Sequence, residues 1–201
     1  NIPVRLYPYL TSTVVVSSVD VTEESMEEPS RTELDTHANM PVVGRNAYII
    51  SDTGRVADVS PFSPDYDSMM IPIVNAAVSY LSQDGKLYIL VIRNALHVPA
   101  MEHNLLPPFV MREAGIKVND TPKIQTTEPV TEEDHSIFFH EDEFRIPLSL
   151  YGMFSYFPTS KPTAEQMMES ENVDLLTPTR MNPIVTRTPQ TRRTWWTGKG
   201  T

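Results

Sequence analysis

The sequence contains no cysteine, which removes disulfides, thiolate metal ligands and cysteine nucleophiles together and leaves any chemistry to oxygen and imidazole. Glycine is scarce, with 7 residues against 18 prolines. Because proline deletes a backbone donor and clashes inside a helix, that balance argues for strands and turns over long helices. No apolar run approaches the roughly 18–20 residues of a bilayer-spanning helix, and no basic segment followed by an apolar stretch opens the sequence, so a soluble chain with no membrane partner is expected. Basic residues are outnumbered, 16 Lys and Arg against 26 Asp and Glu, for a formal charge of -10. The body of such a chain repels phosphate. At 201 residues, 40% of them hydrophobic, there is material for one core plus tails, or two very small domains.

Residues 1–31 hold a strand candidate at Thr11–Val21, rich in β-branched residues, followed by an acidic linker from Glu23 to Ser30. Short strands are expected around Leu34, Ile49 and Val56, separated by the turn formers Gly44, Asn46 and Gly54. Met69 to Leu81 is apolar but carries Pro72, which suits an edge or a bulged strand. Asp84-Gly85 then separates it from Leu87–Ile92, predicting a long hairpin over about 70–93. Pro107-Pro108 and Gly115 bracket a short helix at Phe109–Ala114. Further strands are expected at 136–139, 144–150 and 153–157, and a helix capped by Thr163 runs toward Asn172. The last segment differs in charge: residues 178–201 carry five Lys and Arg and no acid, whereas 119–177 carry twelve acids and three bases. The expected organisation is 1–31, 32–118, 119–160 (a β-rich extension) and 161–201 (a short helix and basic tail, expected to be disordered).

Glu33-Leu34-Asp35-Thr36-His37-Ala38 sets an aspartate, a hydroxyl and a small residue at the end of a short strand, as a preorganised catalytic carboxylate requires. It resembles the active-site turn of retropepsin-like aspartic proteases, usually Asp, Ser or Thr, Gly, Ala. Asn94-Ala95-Leu96-His97-Val98-Pro99, followed by Asn104-Leu105-Leu106, is similar to the strand and turn N-V-L-Y-V-P and N-L-L that lie downstream of the catalytic turn in Copia-type retrotransposon polyproteins. The resemblance covers residues 32–118 and, more loosely, the stretch to Phe157, which looks like the segment leading toward integrase.

The resemblance implies a mainly β chain, a retropepsin-like closed β-barrel with one short helix, flanked by disordered or weakly ordered tails. It implies an aspartic endopeptidase that cleaves its own polyprotein as a homodimer in the cytoplasmic virus-like particle of a retroelement, with no cofactor and no metal. Asp35 would be the catalytic carboxylate, Thr36 would join the two active-site turns, and the hairpin at Asp84-Gly85 would be the flap. His37 stands where the family has glycine. A side chain forced into a glycine conformation costs on the order of 1–3 kcal/mol, although histidine tolerates left-handed backbone better than most residues.

Other readings stay open at this point. Asp52-Thr53-Gly54 is a literal Asp-Thr-Gly, but Arg55 follows where a small residue is usual, so Asp52 is the lesser catalytic candidate beside an ordinary polar turn. With His37 abolishing cleavage, the same fold would be an inactive interaction module, or the fragment of a decayed element. His97, His103, His135 and His140 lack metal-ligand spacing and read as surface residues. Glu132-Glu133-Asp134 and Glu141-Asp142-Glu143 read as solvated loop ends, and the Met69-Met70 and Met167-Met168 pairs as core filling. In the tail from Thr188, arginines interleave with Trp195 and Trp196, so nucleic acid is a partner there or nowhere.

Overall fold

A computed structural model of the chain describes residues 30–59, 68–121 and 131–179. The strand expected at 11–21, nearly all of the acidic linker and the basic tail lie outside them. The elements run β1 (Arg31–Leu34), β2 (Val42–Val43), β3 (Tyr48–Val59), β4 (Met69–Leu81), β5 (Leu87–His97), β6 (Asn104–Leu106), α1 (Pro108–Glu113), β7 (Lys117–Asp120), β8 (His135–Phe139), β9 (Phe144–Pro147), β10 (Ser149–Tyr151), β11 (Phe154–Pro158), α2 (Ala164–Glu169) and β12 (Val173–Leu175). The chain is mainly β. Its two short α-helices in the described residues, α1 and α2, lie where the two short helices are expected.

Local chemistry explains most of these boundaries. Proline is tolerated in the first turn of α1, where the orphan donors have no partner to lose, and Ile116 N returns to Met111 O at 3.1 Å to close the helix. Thr163 caps α2 in a reciprocal pair with Gln166. At the β4–β5 turn, Ser82 N donates to Lys86 O at 2.9 Å.

The larger sheet runs β10-β11-β1-β6-β2-β5-β4-β3, with β12 also paired to β5; β7, β8 and β9 form a second sheet. The closed barrel is not what the pairings make. In a closed barrel every strand has two neighbours, but β10 and β3 end an open path. Across the remaining gap, β4 meets the residues after β11 at one isolated bridge, Ser79 with Ser160. Pro158 and Pro162 flank that bridge, and proline cannot donate to a ladder, so closure stops at one pair.

Packing joins the two sheets. Tyr88 of β5 stacks on Phe144 of β9 with centroids 3.7 Å apart and planes at 7°, and Phe139, Tyr80 and Phe157 gather around that pair. One buried cluster runs from Leu34 through Leu90, Ile137 and Phe157 to Leu176. Residues 161–179, read from sequence as a helix leading into a tail, therefore contribute β12 and a fully buried leucine.

One part of the larger sheet stands clear of it. β4 pairs with β5 only as far as Ile73↔Leu96, whereas its pairing with β3 continues to Val59↔Met69. Residues 56–59 and 69–72 thus form a two-stranded ribbon in which no described residue is buried. Pro72 lies in this ribbon, where β4 has lost its second neighbour and a missing donor breaks no ladder bond on that side.

Candidate active site at the end of β1

β1 alternates outward and inward residues and buries Thr32 and Leu34. It pairs parallel with β6, Leu34 opposite Leu106, and Asp35 N extends that pairing by donating to Leu106 O at 3.2 Å. The catalytic-turn candidate and the Asn-Leu-Leu motif, far apart in sequence, are neighbouring strands. Asp35 Oδ1 accepts a hydrogen bond from His37 N at 2.8 Å, a local side-chain-to-backbone turn that fixes the carboxylate direction. The side chain of Asp35 is 30% exposed and that of His37 is 97% exposed, with Nδ1 3.9 Å from Asp35 Oδ1. Thr36 is exposed and its hydroxyl lies 3.4 Å from the same ring nitrogen.

His37 does not carry the strain its position suggested. The described non-glycine residues with positive φ are Asn94 and Glu143, so the turn accommodates histidine in ordinary backbone.

A buried polar chain holds this end of the sheet together. Asn104 Oδ1 accepts from Gly44 N at 3.0 Å, Asn104 Nδ2 donates to Thr32 Oγ1 at 3.4 Å, and the Thr32 hydroxyl meets Thr159 Oγ1 at 3.0 Å. Asn104 is thus satisfied from one strand and a loop, as a buried amide must be. Gly44 is needed for space: a Cβ there would sit 2.3 Å from Met101 O. Sequence reading singled out the Asn104 motif but not Thr32, Thr159 or the close approach at Gly44. The available signal was Thr32, a hydroxyl on the inward face of β1 two residues before Leu34.

Asp52-Thr53-Gly54 lies elsewhere, in a bulge of β3 where the register with β4 shifts between Asp52 and Arg55. Gly54 has φ +69°, its N donates to Asp52 Oδ1 at 2.8 Å, and the Thr53 hydroxyl donates to Ile73 O at 2.6 Å. Arg55 hydrogen-bonds Asn94. The local turn resembles that at Asp35, but Asp52 is exposed and sits inside a hairpin. Its motif is accounted for by the bulge from which the ribbon leaves the sheet.

The Asp84-Gly85 turn is itself exposed, but the strands that lead into it have neighbours. The residues on either side of it face Asp142–Arg145 across a shared cleft, β12 runs along β5 at Ile89–Val91, and Ser79 is bonded to Ser160. In the β3–β4 ribbon, by contrast, no residue of either strand is buried over 56–59 and 69–72.

The histidines stay apart. His140 is exposed and packs edge-on against Phe138. His135, expected at the surface, is buried at 2% exposure, and its Nε2 lies 2.8 Å from Ser155 Oγ, tying β8 to β11. No group of three or more His, Asp or Glu side chains suited to a metal ion occurs among the described residues. Met69, Met70 and Met168, expected in the core, are exposed at 58%, 65% and 80%. No described helix is long and apolar enough to cross a membrane. No family model, curated protein or solved structure matches the chain.

Proposed function

We propose that residues 32–118 are one half of a retropepsin-like aspartic endopeptidase, of the kind carried by Copia-type retrotransposon polyproteins, which cleaves its own polyprotein as a homodimer. The observation that carries this reading is the placement of Asp35: a backbone-braced carboxylate at the end of β1, paired through Leu106 to the Asn-Leu-Leu strand that leads into α1. The unpacked β3–β4 ribbon supports it by supplying an arm able to fold over a bound peptide.

On this reading each subunit contributes one Asp35. Two carboxylates brought together share one proton, because like charges a few ångström apart cannot both ionise. The ionised member takes a proton from water as that water attacks the peptide carbonyl, and the protonated member hydrogen-bonds the carbonyl oxygen as it gains charge. Thr36 links the two turns, and the ribbon excludes bulk water. Substrate lies extended along the ribbon. A retroelement particle in the cytoplasm is the corresponding setting.

The test is cleavage of polyprotein-derived peptides by the full chain. Asp35→Asn is expected to abolish turnover, by at least about a thousandfold if the water loses its base, while Asp52→Asn leaves it within a few-fold. Cleavage that survives D35N, or is lost only in D52N, overturns the assignment. A folded dimer that cleaves nothing favours the inactive interaction module.

A further inference from the structure

β1 is four residues long and holds its place through two short ladders, a parallel one to β6 from Thr32↔Asn104 to Leu34↔Leu106 and an antiparallel one to β11 from Arg31↔Pro158 to Glu33↔Tyr156. Three paired residues on either side specify a register weakly, and a slip of one residue would turn the buried side chains of the strand outward and carry Asp35 with them. Side-chain chemistry pins the register. Asn104 Oδ1 accepts from Gly44 N at 3.0 Å, and Asn104 Nδ2 donates to Thr32 Oγ1 at 3.4 Å. Having accepted there, Thr32 keeps its own proton for Thr159 Oγ1, 3.0 Å away. Thr32 and Asn104 are fully buried and Thr159 is 3% exposed, so bulk water does not replace a lost partner. Thr159 is itself anchored: its N donates to Ser30 O at 3.0 Å, and the next residue, Ser160, exchanges backbone bonds of 2.8 and 3.0 Å with Ser79 of β4.

We propose, resting on the reading of Asp35 as the catalytic carboxylate, that Thr159 is a positioning residue for Asp35 and that the segment ending at Ser160 belongs to the catalytic unit. Thr159 stands 127 residues from Thr32, beyond the 32–118 stretch that carries both motifs. It acts through Thr32, three residues before Asp35. With β1 fixed, Asp35 N reaches Leu106 O at 3.2 Å and the carboxylate accepts from His37 N at 2.8 Å. Removing the Thr159 hydroxyl leaves the Thr32 proton without a partner in a dry site, and β1 relieves that by shifting against β6. A displacement of about 1 Å in a carboxylate that must meet its twin across a shared proton slows the chemical step, while peptide binding along the ribbon is kept.

The test compares the full chain as wild type, T159V, T159S and T32V, by hydrogen exchange and by peptide cleavage. In T159V, protection of the Asp35 amide is expected to fall about tenfold, while that of Leu176, whose N donates to Val91 O elsewhere in the sheet, stays within about twofold. T159S keeps the hydroxyl and is expected to match wild type at both amides. In cleavage, T159V is expected to lower kcat about tenfold with KM within about twofold, and T159S to match wild type. Unchanged Asp35 protection in T159V, an equal fall at Leu176, or an unchanged kcat overturns the positioning role. Should T159V fail to fold, T32V, which removes the other end of the same bond, carries the comparison. A wild-type chain that cleaves no peptide overturns the endopeptidase reading, and the exchange data still decide whether Thr159 holds Asp35 in place.

Discussion

At the scale of single residues, a three-letter motif is a poor guide to chemistry and its neighbours are a good one. Asp35 and Asp52 each accept a hydrogen bond from the backbone N–H two residues on, both at 2.8 Å. They differ in what lies around that turn, a strand end beside β6 for one and an exposed bulge for the other. The same logic removes the objection to His37. Because its backbone is not left-handed, His37→Gly relieves no strain, and peptide cleavage by that variant is expected to stay within a few-fold of wild type; a gain of a hundredfold would show that the histidine was suppressing activity. Gly44 is the opposite case. Gly44→Ala would drive a methyl to 2.3 Å from a backbone oxygen and loosen the loop from Asn104, and denaturant titration is expected to show a loss of about 2–4 kcal/mol.

At the scale of elements, what was legible in the sequence is what local chemistry controls. The β4–β5 hairpin follows from Asp84-Gly85 between two apolar runs, α1 from its prolines, and α2 from Thr163. The parallel partnership of β1 and β6 was not legible, because its members stand 72 residues apart at Thr32 and Asn104 and nothing in either short run marks the other as its neighbour. The fate of Met69 and Met70 was hidden for a related reason: an apolar run is buried only where a second strand or sheet covers it, and β5 stops covering β4 at Ile73. Aromatic packing shows which elements depend on one another. Tyr88→Ala removes the partner stacked on Phe144 and is expected to cost about 3–5 kcal/mol. The two sheets should then unfold in one transition, seen as coincident far- and near-ultraviolet circular dichroism curves; separate transitions would show that the sheets are energetically independent.

At the scale of the whole molecule, the proposed activity belongs to a pair of chains. Peptide cleavage is therefore expected to fall faster than linearly on dilution. Mixing wild-type and D35N chains in equal amounts should leave about one quarter of the activity if subunits exchange at random, since only pairs with two Asp35 groups act. Activity that scales linearly with wild-type chain in that mixture would assign catalysis to the single subunit. The extension past residue 118 also belongs to the whole: β11 pairs with β1, Thr159 completes the polar chain behind Asp35, and Leu176 fills the core. The shift from a mildly acidic to a strongly acidic stretch near residue 118 is not an edge of the core, because composition reports surface charge and burial follows contact.

Local propensity, turn chemistry and capping were enough to set the β-rich class of this protein, its central hairpin and its short helices, since each depends on interactions between residues a few positions apart. The open ends of the larger sheet, the freedom of the β3–β4 ribbon and the burial of His135 came from long-range contacts. Those depend on which segments meet once the chain has collapsed, and a linear pattern of residue types does not encode the distance between segments that chain entropy leaves free to pair in several ways.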